Sequence, residues 1–241
     1  MLNKTTRRAE SRFNPFTDFQ PWQADLSIDW PEIPVLPETL LLLDLEVQER
    51  SVDLRAISEL ILSDLGATLQ ILLLAGREYS CAEFRPDRIE DCISDLGVRA
   101  CMEAVSAHTV AHSCESSSIT ETWAHCREIA QISKQIAEEM QDVDPNQANK
   151  AALLQAIGLL PAVLGWAASK QGISDFALAG FKLAKKWSLA PFLVKFLSEM
   201  HEERCTTRLP EIVRKAHLCA IRSAIQCPLQ QGAGPLLYRS F

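Results

Sequence analysis

The residues of this chain best suited to chemistry are its histidines, of which the 241-residue sequence has five. His108 and His112 lie one helical turn apart, so their imidazoles face the same side of a helix, as the zinc ligands of an H-E-x-x-H motif do. The glutamate position of that motif holds Thr109. Histidines on an apolar helical stripe are more often interior side chains bonded to a backbone carbonyl. We interpret this pair as structural, with a structural metal shared with Cys101 or Cys114 as the alternative.

The other three histidines, His125, His201 and His217, lie in three separate predicted helices. Three helices can bring imidazoles together around Zn²⁺, with water as the fourth ligand. However, His125 shares a helical face with the isoleucines at positions 129, 132 and 136, and His201 lies in a charged run, so both have ordinary structural interpretations. The sequence shows no carboxylate that would orient the rings. We expect no metal and no cofactor, and we name these three residues as the ligands if a metal does bind.

The composition favours an all-α fold, because glycine and tyrosine are scarce while leucine, alanine, isoleucine, glutamate and glutamine dominate. The net charge of −7 makes a nucleic-acid partner an unfavourable expectation, since phosphate backbones require a concentrated basic surface. No apolar run is long enough to span a membrane, and the N-terminus lacks the apolar core of a signal peptide, so we expect a cytoplasmic protein with no membrane partner.

The eight cysteines show no CxxC pair and are interpreted as reduced thiols. No glycine-rich phosphate loop and no Gly-x-Ser-x-Gly elbow occurs.

Apolar residues recur with helical period from Pro37 onward. Ser51 is predicted to cap a helix that Gly66 ends, and another helix is predicted to run from Val98 past His112. Later helices are predicted up to Met140, through Leu160, and over 174–187, 191–202 and 210–226. Residues 1–32 form a predicted extended arm with five aromatic side chains, which either packs over the body or becomes ordered on a partner, and residues 228–241 form a predicted irregular tail.

Several weak motifs follow one another along the chain. They are Pro34-Val-Leu-Pro37, the helix pair Ile57 to Leu74, Leu96-Gly97-Val98-Arg99, Trp123-Ala124-His125-Cys126, Ala151 to Gly158, Trp187 to Pro191 followed by His201, and Ile212 to Ala220. Their order resembles that of the HDOD (HD-related output domain) family. The turn that is usually Asp-Pro in the family is Asp64-Leu65 here, so the chain resembles a divergent member. The resemblance implies one HDOD-like domain over 33–227, in which an N-terminal helical half (33–118) packs on an HD-like half (119–227).

The resemblance also implies that metal-binding residues of related enzymes are missing from this chain. HD phosphohydrolases hold catalytic metals with an early histidine, an adjacent His-Asp pair and a late aspartate. Those positions correspond here to His125, Gln155-Ala156 and His217, so neither carboxylate is present. This implies a non-catalytic signal-transduction or regulatory module of bacterial type that acts by protein–protein or ligand binding. The alternative is a divergent metal-dependent phosphohydrolase acting on nucleotides or phosphoesters.

The expected partner is a protein of a signalling pathway, with a nucleotide second messenger as a candidate ligand. We predict that any small ligand binds in a groove between the halves, near His108, His112, His125 and Gln155. The side chains of Lys182, Lys185, Lys186 and Lys195 could form one basic face for an anionic ligand such as a nucleotide second messenger. A solvated helix face is the more frequent explanation of such a cluster.

Overall fold

The computed structural model describes residues 33–49, 51–79, 86, 88–107, 116–164, 176–201 and 206–226. The predicted arm at 1–32 and the predicted tail at 228–241 lie outside this part, as do His108 and His112.

The prediction of an all-α fold is confirmed. The elements are α1 (Pro37–Gln48), α2 (Leu54–Ile61), α3 (Leu65–Glu78), α4 (Ile89–Leu96), α5 (Val98–Ser106), α6 (Ser116–Met140), α7 (Pro145–Leu154), a 3₁₀ turn (Gln155–Leu159), α8 (Leu160–Val163), α9 (Phe176–Lys186), α10 (Pro191–His201) and α11 (Leu209–Gln226).

In the predicted division, α1–α5 form the N-terminal half and α6–α11 the HD-like half, and α3 is the central element of the N-terminal half. Ten of its 14 residues are buried, which identifies it as a core helix rather than an amphipathic surface helix. It packs against α4 and α5 within its own half and against α6 and α7 of the HD-like half. The two halves therefore share a continuous apolar core, and α3 joins them.

The HD-like half is organised around α6, the longest helix described, with 25 residues. Helix α6 packs along α7 and α11, while the 3₁₀ turn packs against α9 and α9 against α10. Glycines allow the contact between the 3₁₀ turn and α9: a Cβ on Gly158 would lie 1.8 Å from the carbonyl oxygen of Phe176, and one on Gly180 would lie 3.2 Å from the backbone nitrogen of Gly158. The backbone after Gln155 is thus fixed by a close approach that only glycine permits.

Two local predictions in the N-terminal half were wrong. Gly66 does not end a helix: it lies in the first turn of α3, where a Cβ would meet the carbonyl oxygen of Pro34 at 2.0 Å. The cap of α2 is Asp53, whose carboxylate accepts a hydrogen bond from the backbone of Arg55, and not Ser51. The first error concerns the turn between α2 and α3, which ends at Asp64, before the glycine, and the second concerns the start of α2, which lies two residues later than predicted.

Helix α5 ends at Ser106, so its predicted continuation past His112 falls outside the described residues. Gly97 does end α4, with a φ of 86°, as its position in the sequence predicts.

Three of the four described cysteines, Cys92, Cys101 and Cys126, are buried in the core. Burial raises the pKa of Cys92 and Cys126 to about 12 and that of Cys101 to about 11, so these thiols stay protonated at neutral pH. Such thiols are poor nucleophiles and poor metal ligands. These side chains act as small apolar core residues.

Taken singly, none of the described helices is both long and apolar enough to cross a membrane. Helices α2 and α3 pass the length and composition test only as a pair, and that pair is bent by 114°.

Candidate functional site

The positions that correspond to the metal ligands of an HD enzyme lie on three elements, of which α6 and α11 pack together. His125 is on α6, Gln155 begins the 3₁₀ turn that follows α7, and His217 is on α11. Because α6 contacts both α7 and α11, this arrangement brings two of the predicted residues into direct contact. The imidazole centroids of His125 and His217 are 5.2 Å apart, and the rings meet edge to face at 75°.

Both imidazoles are neutral at physiological pH. Burial, and after it the repulsion from a charge on His125, lower the pKa of His217 to about 4. Burial also lowers the pKa of His125. A neutral imidazole carries one N–H donor and one acceptor nitrogen, so this pair offers hydrogen-bonding groups without positive charge.

The adjacent His-Asp position of an HD enzyme is filled by Gln155 and Ala156, both buried in the 3₁₀ turn. Glutamine is a weak neutral ligand and alanine cannot ligate. Within the part of the chain that the structure describes, no group of three or more histidine, cysteine, aspartate or glutamate side chains is placed to hold a metal ion. The residues therefore do not fit a hydrolytic metal centre, which needs carboxylates to offset and bridge its cations.

The remaining candidate residues cannot be placed in this site. His201 is the last residue of α10, and its side chain lies outside the described part of the structure. His108 and His112 are also outside it. Of the predicted groove residues, the structure places His125 against His217 and puts Gln155 on the neighbouring turn. Lys182, Lys185 and Lys186 are exposed on α9, and Lys195 forms an ion pair with Glu199 at 3.8 Å.

Sequence reasoning missed a buried carboxylate at the junction of the halves, which we call the Asp64 junction. Asp64 is fully buried and caps α3 by accepting a hydrogen bond from the backbone of Ala67 at 3.0 Å. It also accepts from the backbone of Leu36 at 2.9 Å and from the indole nitrogen of Trp123, on α6, at 3.1 Å. The Thr39 hydroxyl completes the set. One carboxylate thus connects the opening segment, α3 and the HD-like half.

Burial raises the pKa of the Asp64 carboxyl, and the hydrogen bonds from Ala67, Leu36, Thr39 and Gly66 oppose that shift. The sequence carried a signal for this role, namely an aspartate directly before an apolar helix. It carried no signal for the distant donors, because Leu36 and Trp123 are 28 and 59 positions away.

A cleft of about 770 Å³ lies between the halves, and its lining residues are not those predicted for a ligand groove there; we call it the inter-half cleft. Its walls come from α2 and the turn after it, the start of α4, one face of α6 and the start of α7. Neither His125 nor Gln155 lines it. The cleft is therefore separate from the His125–His217 contact, although α6 contributes to both.

Comparison with known proteins assigns this chain to a family. The HDOD domain model matches residues 33–175, which is more than half of the chain. The chain belongs to the HDOD family. The prediction made from the order of weak motifs is thereby confirmed, with the matched region ending before the last motifs assigned to it.

Two solved structures with TM-scores above 0.6 show the same fold for this HDOD protein. The MmoQ response regulator of Methylococcus capsulatus strain Bath is 17% identical with a TM-score of 0.65, and the alignment covers 84% of this chain and 92% of that one. A structure of its fragment 20–298 gives 18% identity, a TM-score of 0.61, and coverage of 87% and 89%. An HDOD domain protein of unknown function from Geobacter sulfurreducens is 21% identical, with a TM-score of 0.33 and coverage of 81% and 74%. None of the curated proteins is similar enough to this sequence to count as a match.

Proposed function

We propose that this HDOD protein is a cytoplasmic signal-transduction module that acts by binding a protein partner or a small ligand, without metal-dependent phosphohydrolysis. The observation that carries the proposal is the replacement of both metal-binding carboxylates by Gln155-Ala156 and His217, with His217 in contact with His125. A metal held there would have neutral ligands only, and neutral ligands supply neither the charge balance nor the bridging oxygens of a phosphohydrolase centre.

Two further observations support a binding role. The MmoQ structures carry the description of a response regulator, which is a signalling protein. In addition, α1 exposes three leucines, Leu41, Leu42 and Leu45, at 61%, 48% and 56% of their surface. Neighbouring exposed leucines of this kind are typical of surfaces that contact other proteins.

A second candidate function is a divergent phosphohydrolase, and the contact between His125 and His217 is the observation in its favour. Two imidazoles 5.2 Å apart can supply part of a zinc site. This candidate requires an additional ligand beyond those two rings and a group to activate water.

Hydrolysis by the full chain separates the two candidates. Nucleotides and phosphodiesters would be incubated with the wild type, with His125→Ala and with Gln135→Ala, in separate arms supplied with Mg²⁺, Mn²⁺, Fe²⁺ or Zn²⁺. Gln135 is an exposed residue of the same helix, so it serves as a matched control. We expect all three proteins to hydrolyse no faster than buffer. Turnover by wild type and Gln135→Ala that disappears in His125→Ala would establish the hydrolase instead.

Partner capture tests the binding role directly. The wild-type chain and a Leu41→Ser/Leu45→Ser variant, both immobilised, would be exposed to the native cytoplasm under identical conditions. We expect a specific partner to be retained by the wild type and lost by the variant, because two exposed leucines of the α1 surface have been removed. Equal recovery on both would show that α1 is not the contact surface, and recovery of no partner would contradict protein binding.

A further inference from the structure

The inter-half cleft has the size of a small-molecule site and is lined by both halves. Its volume of about 770 Å³ lies in the range of ligand pockets, roughly 300–1,000 Å³. We propose that it binds a phosphate-bearing small molecule of nucleotide size. This inference deepens the proposed function by naming a ligand class, although the site is argued from its own residues.

The charge of the cleft differs in sign from that of the whole chain. Five basic and three acidic side chains line it, whereas the chain carries a net charge of −7. Two of the basic groups have local partners: Arg55 pairs with Glu59 at 3.3 Å, and Arg88 pairs with Glu90. The third acidic group, Asp144, caps α7 by accepting from the backbone of the second residue of that helix. The acidic side chains are therefore engaged locally.

Two cations on α6 face the cleft without such a partner. Arg127 and Lys134 are seven residues apart, about two helical turns, and both line the cleft. Neither forms an ion pair with any carboxylate in the described part of the chain. Clefts lined by charge of one sign concentrate ligands of the opposite sign, so this pair favours an anion.

A third cation, Lys150 on α7, lies deeper in the cleft wall. It is only 3% exposed, and its ammonium group lies 4.4 Å from the centroid of the Phe192 ring. The ring contributes a cation–π contact, but removal of an ammonium group from water costs several kcal/mol in general. The anion therefore has to be held mainly by Arg127 and Lys134, and phosphate suits such a pair because it accepts charge-assisted hydrogen bonds from both side chains.

One amide of the cleft points to a ligand larger than inorganic phosphate. Asn149 lines the cleft, and its buried side-chain oxygen has no hydrogen-bond partner among the described residues. A buried acceptor without a donor is unfavourable by about 1–3 kcal/mol. The amino group of a base or the hydroxyl of a ribose would supply the donor, and a nucleotide carries such a group together with the phosphate that Arg127 and Lys134 would hold. A nucleotide matches this lining, because its phosphates can bind the cations and its base or ribose can donate to the Asn149 oxygen.

Calorimetric titration of the full chain tests the proposal, with GTP, ATP, cyclic di-GMP and inorganic phosphate as separate probes. The variant is Arg127→Gln/Lys134→Gln, and the matched control is Lys185→Gln/Lys186→Gln, which removes the same charge from the exposed face of α9. We expect at least one probe to bind the wild type, the cleft variant to bind it about tenfold more weakly or worse, and the control to stay within about twofold of wild type. Arg127 is exposed, so its loss does not endanger folding.

The variant Asn149→Ala separates the two sources of phosphate. If the ligand is a nucleotide, this change weakens nucleotide binding and leaves inorganic phosphate unaffected; binding of phosphate alone, insensitive to Asn149, would assign the site to the free ion. No binding of any probe below a Kd of about 1 mM, or equal losses in the cleft variant and the control, would overturn the proposal. Because hydrolysis and partner capture are separate readouts, failure here leaves the proposed function to be judged on its own.

Discussion

Two side chains on the same helix, α6, have contrasting polar partners. Trp123 and His125 are two positions apart on α6. Trp123 donates to the Asp64 junction, where a buried carboxylate receives hydrogen bonds from three separate segments. His125 meets the neutral ring of His217, which lies where an HD enzyme has its late aspartate. A carboxylate is thus present where it connects helices, whereas the described positions that correspond to the metal-binding carboxylates of an HD enzyme hold none.

The largest expected effect is at the Asp64 junction. Asp64→Ala would leave the backbone N–H groups of Leu36 and Ala67 and the indole N–H of Trp123 buried without their acceptor. At about 1–3 kcal/mol for each orphaned donor, the free energy of unfolding should fall by about 4 kcal/mol. Chemical denaturation monitored by circular dichroism would measure the loss.

Asp53→Ala is the matched control, because Asp53 also caps a helix but is exposed. Its loss should lower the free energy of unfolding by about 1 kcal/mol. Equal losses for the two variants would show that Asp64 is only another helix cap, and the contrast between the two regions would fail.

The next effect concerns the pH dependence of stability at His217. Its pKa is lowered to about 4 in the folded protein, against an ordinary value near 6.5 in the unfolded chain. As the pH falls from 6.5 to 4, the unfolded chain takes up this proton and the folded protein does not, so stability falls over that window and levels off below it. The contribution is about 3 kcal/mol for a shift of this size.

The variant His217→Leu removes the titrating group, so its free energy of unfolding should decline less between pH 6.5 and pH 4 than that of the wild type. Parallel curves for the two proteins would mean that His217 titrates normally and is not desolvated at its contact with His125. Above pH 7 the pH dependence of the two proteins should coincide.

The smallest effect is at Trp123. Trp123→Phe retains an aromatic ring and removes the indole N–H, and should cost about 2 kcal/mol from the lost hydrogen bond and the reduced volume. In a double-mutant cycle with Asp64→Ala, the two losses should be less than additive by about 1 kcal/mol, because each change removes the same contact. Strict additivity would mean that the 3.1 Å hydrogen bond contributes nothing to holding α6 against α3.

The regular parts of the fold were accessible from the sequence because helix signals are local. The end of α4 at Gly97 and the start of α7 at Asp144-Pro145 follow from capping chemistry within a few residues. The assignment of Gly66 to a helix end failed because the reason for that glycine is not local. Because Gly66 has no side chain, the carbonyl oxygen of Pro34 can lie close to it. The hydrophobic periodicity of the sequence contains no information about such a contact.

The candidate site was predictable in part, for the same reason. The loss of the carboxylates could be read from Gln155-Ala156 and His217 once the motifs were aligned, and the structure added the ring contact between His217 and His125. The cations of the inter-half cleft were not found, because Arg127 and Lys134 look like an ordinary solvated helix face until α2 and α7 are placed beside them. The lysines that the sequence did single out, such as Lys185 and Lys186, lie on α9 instead.

The central claim is that the HD-like half has lost its capacity for a hydrolytic metal, and the metal content of the purified full chain tests it most directly. Protein prepared without chelator from metal-supplemented medium, and analysed by mass spectrometry of the elements, should contain far less than one equivalent of any divalent transition metal. His125→Ala should leave that content unchanged. One equivalent of metal per chain, lost in His125→Ala, would contradict the account.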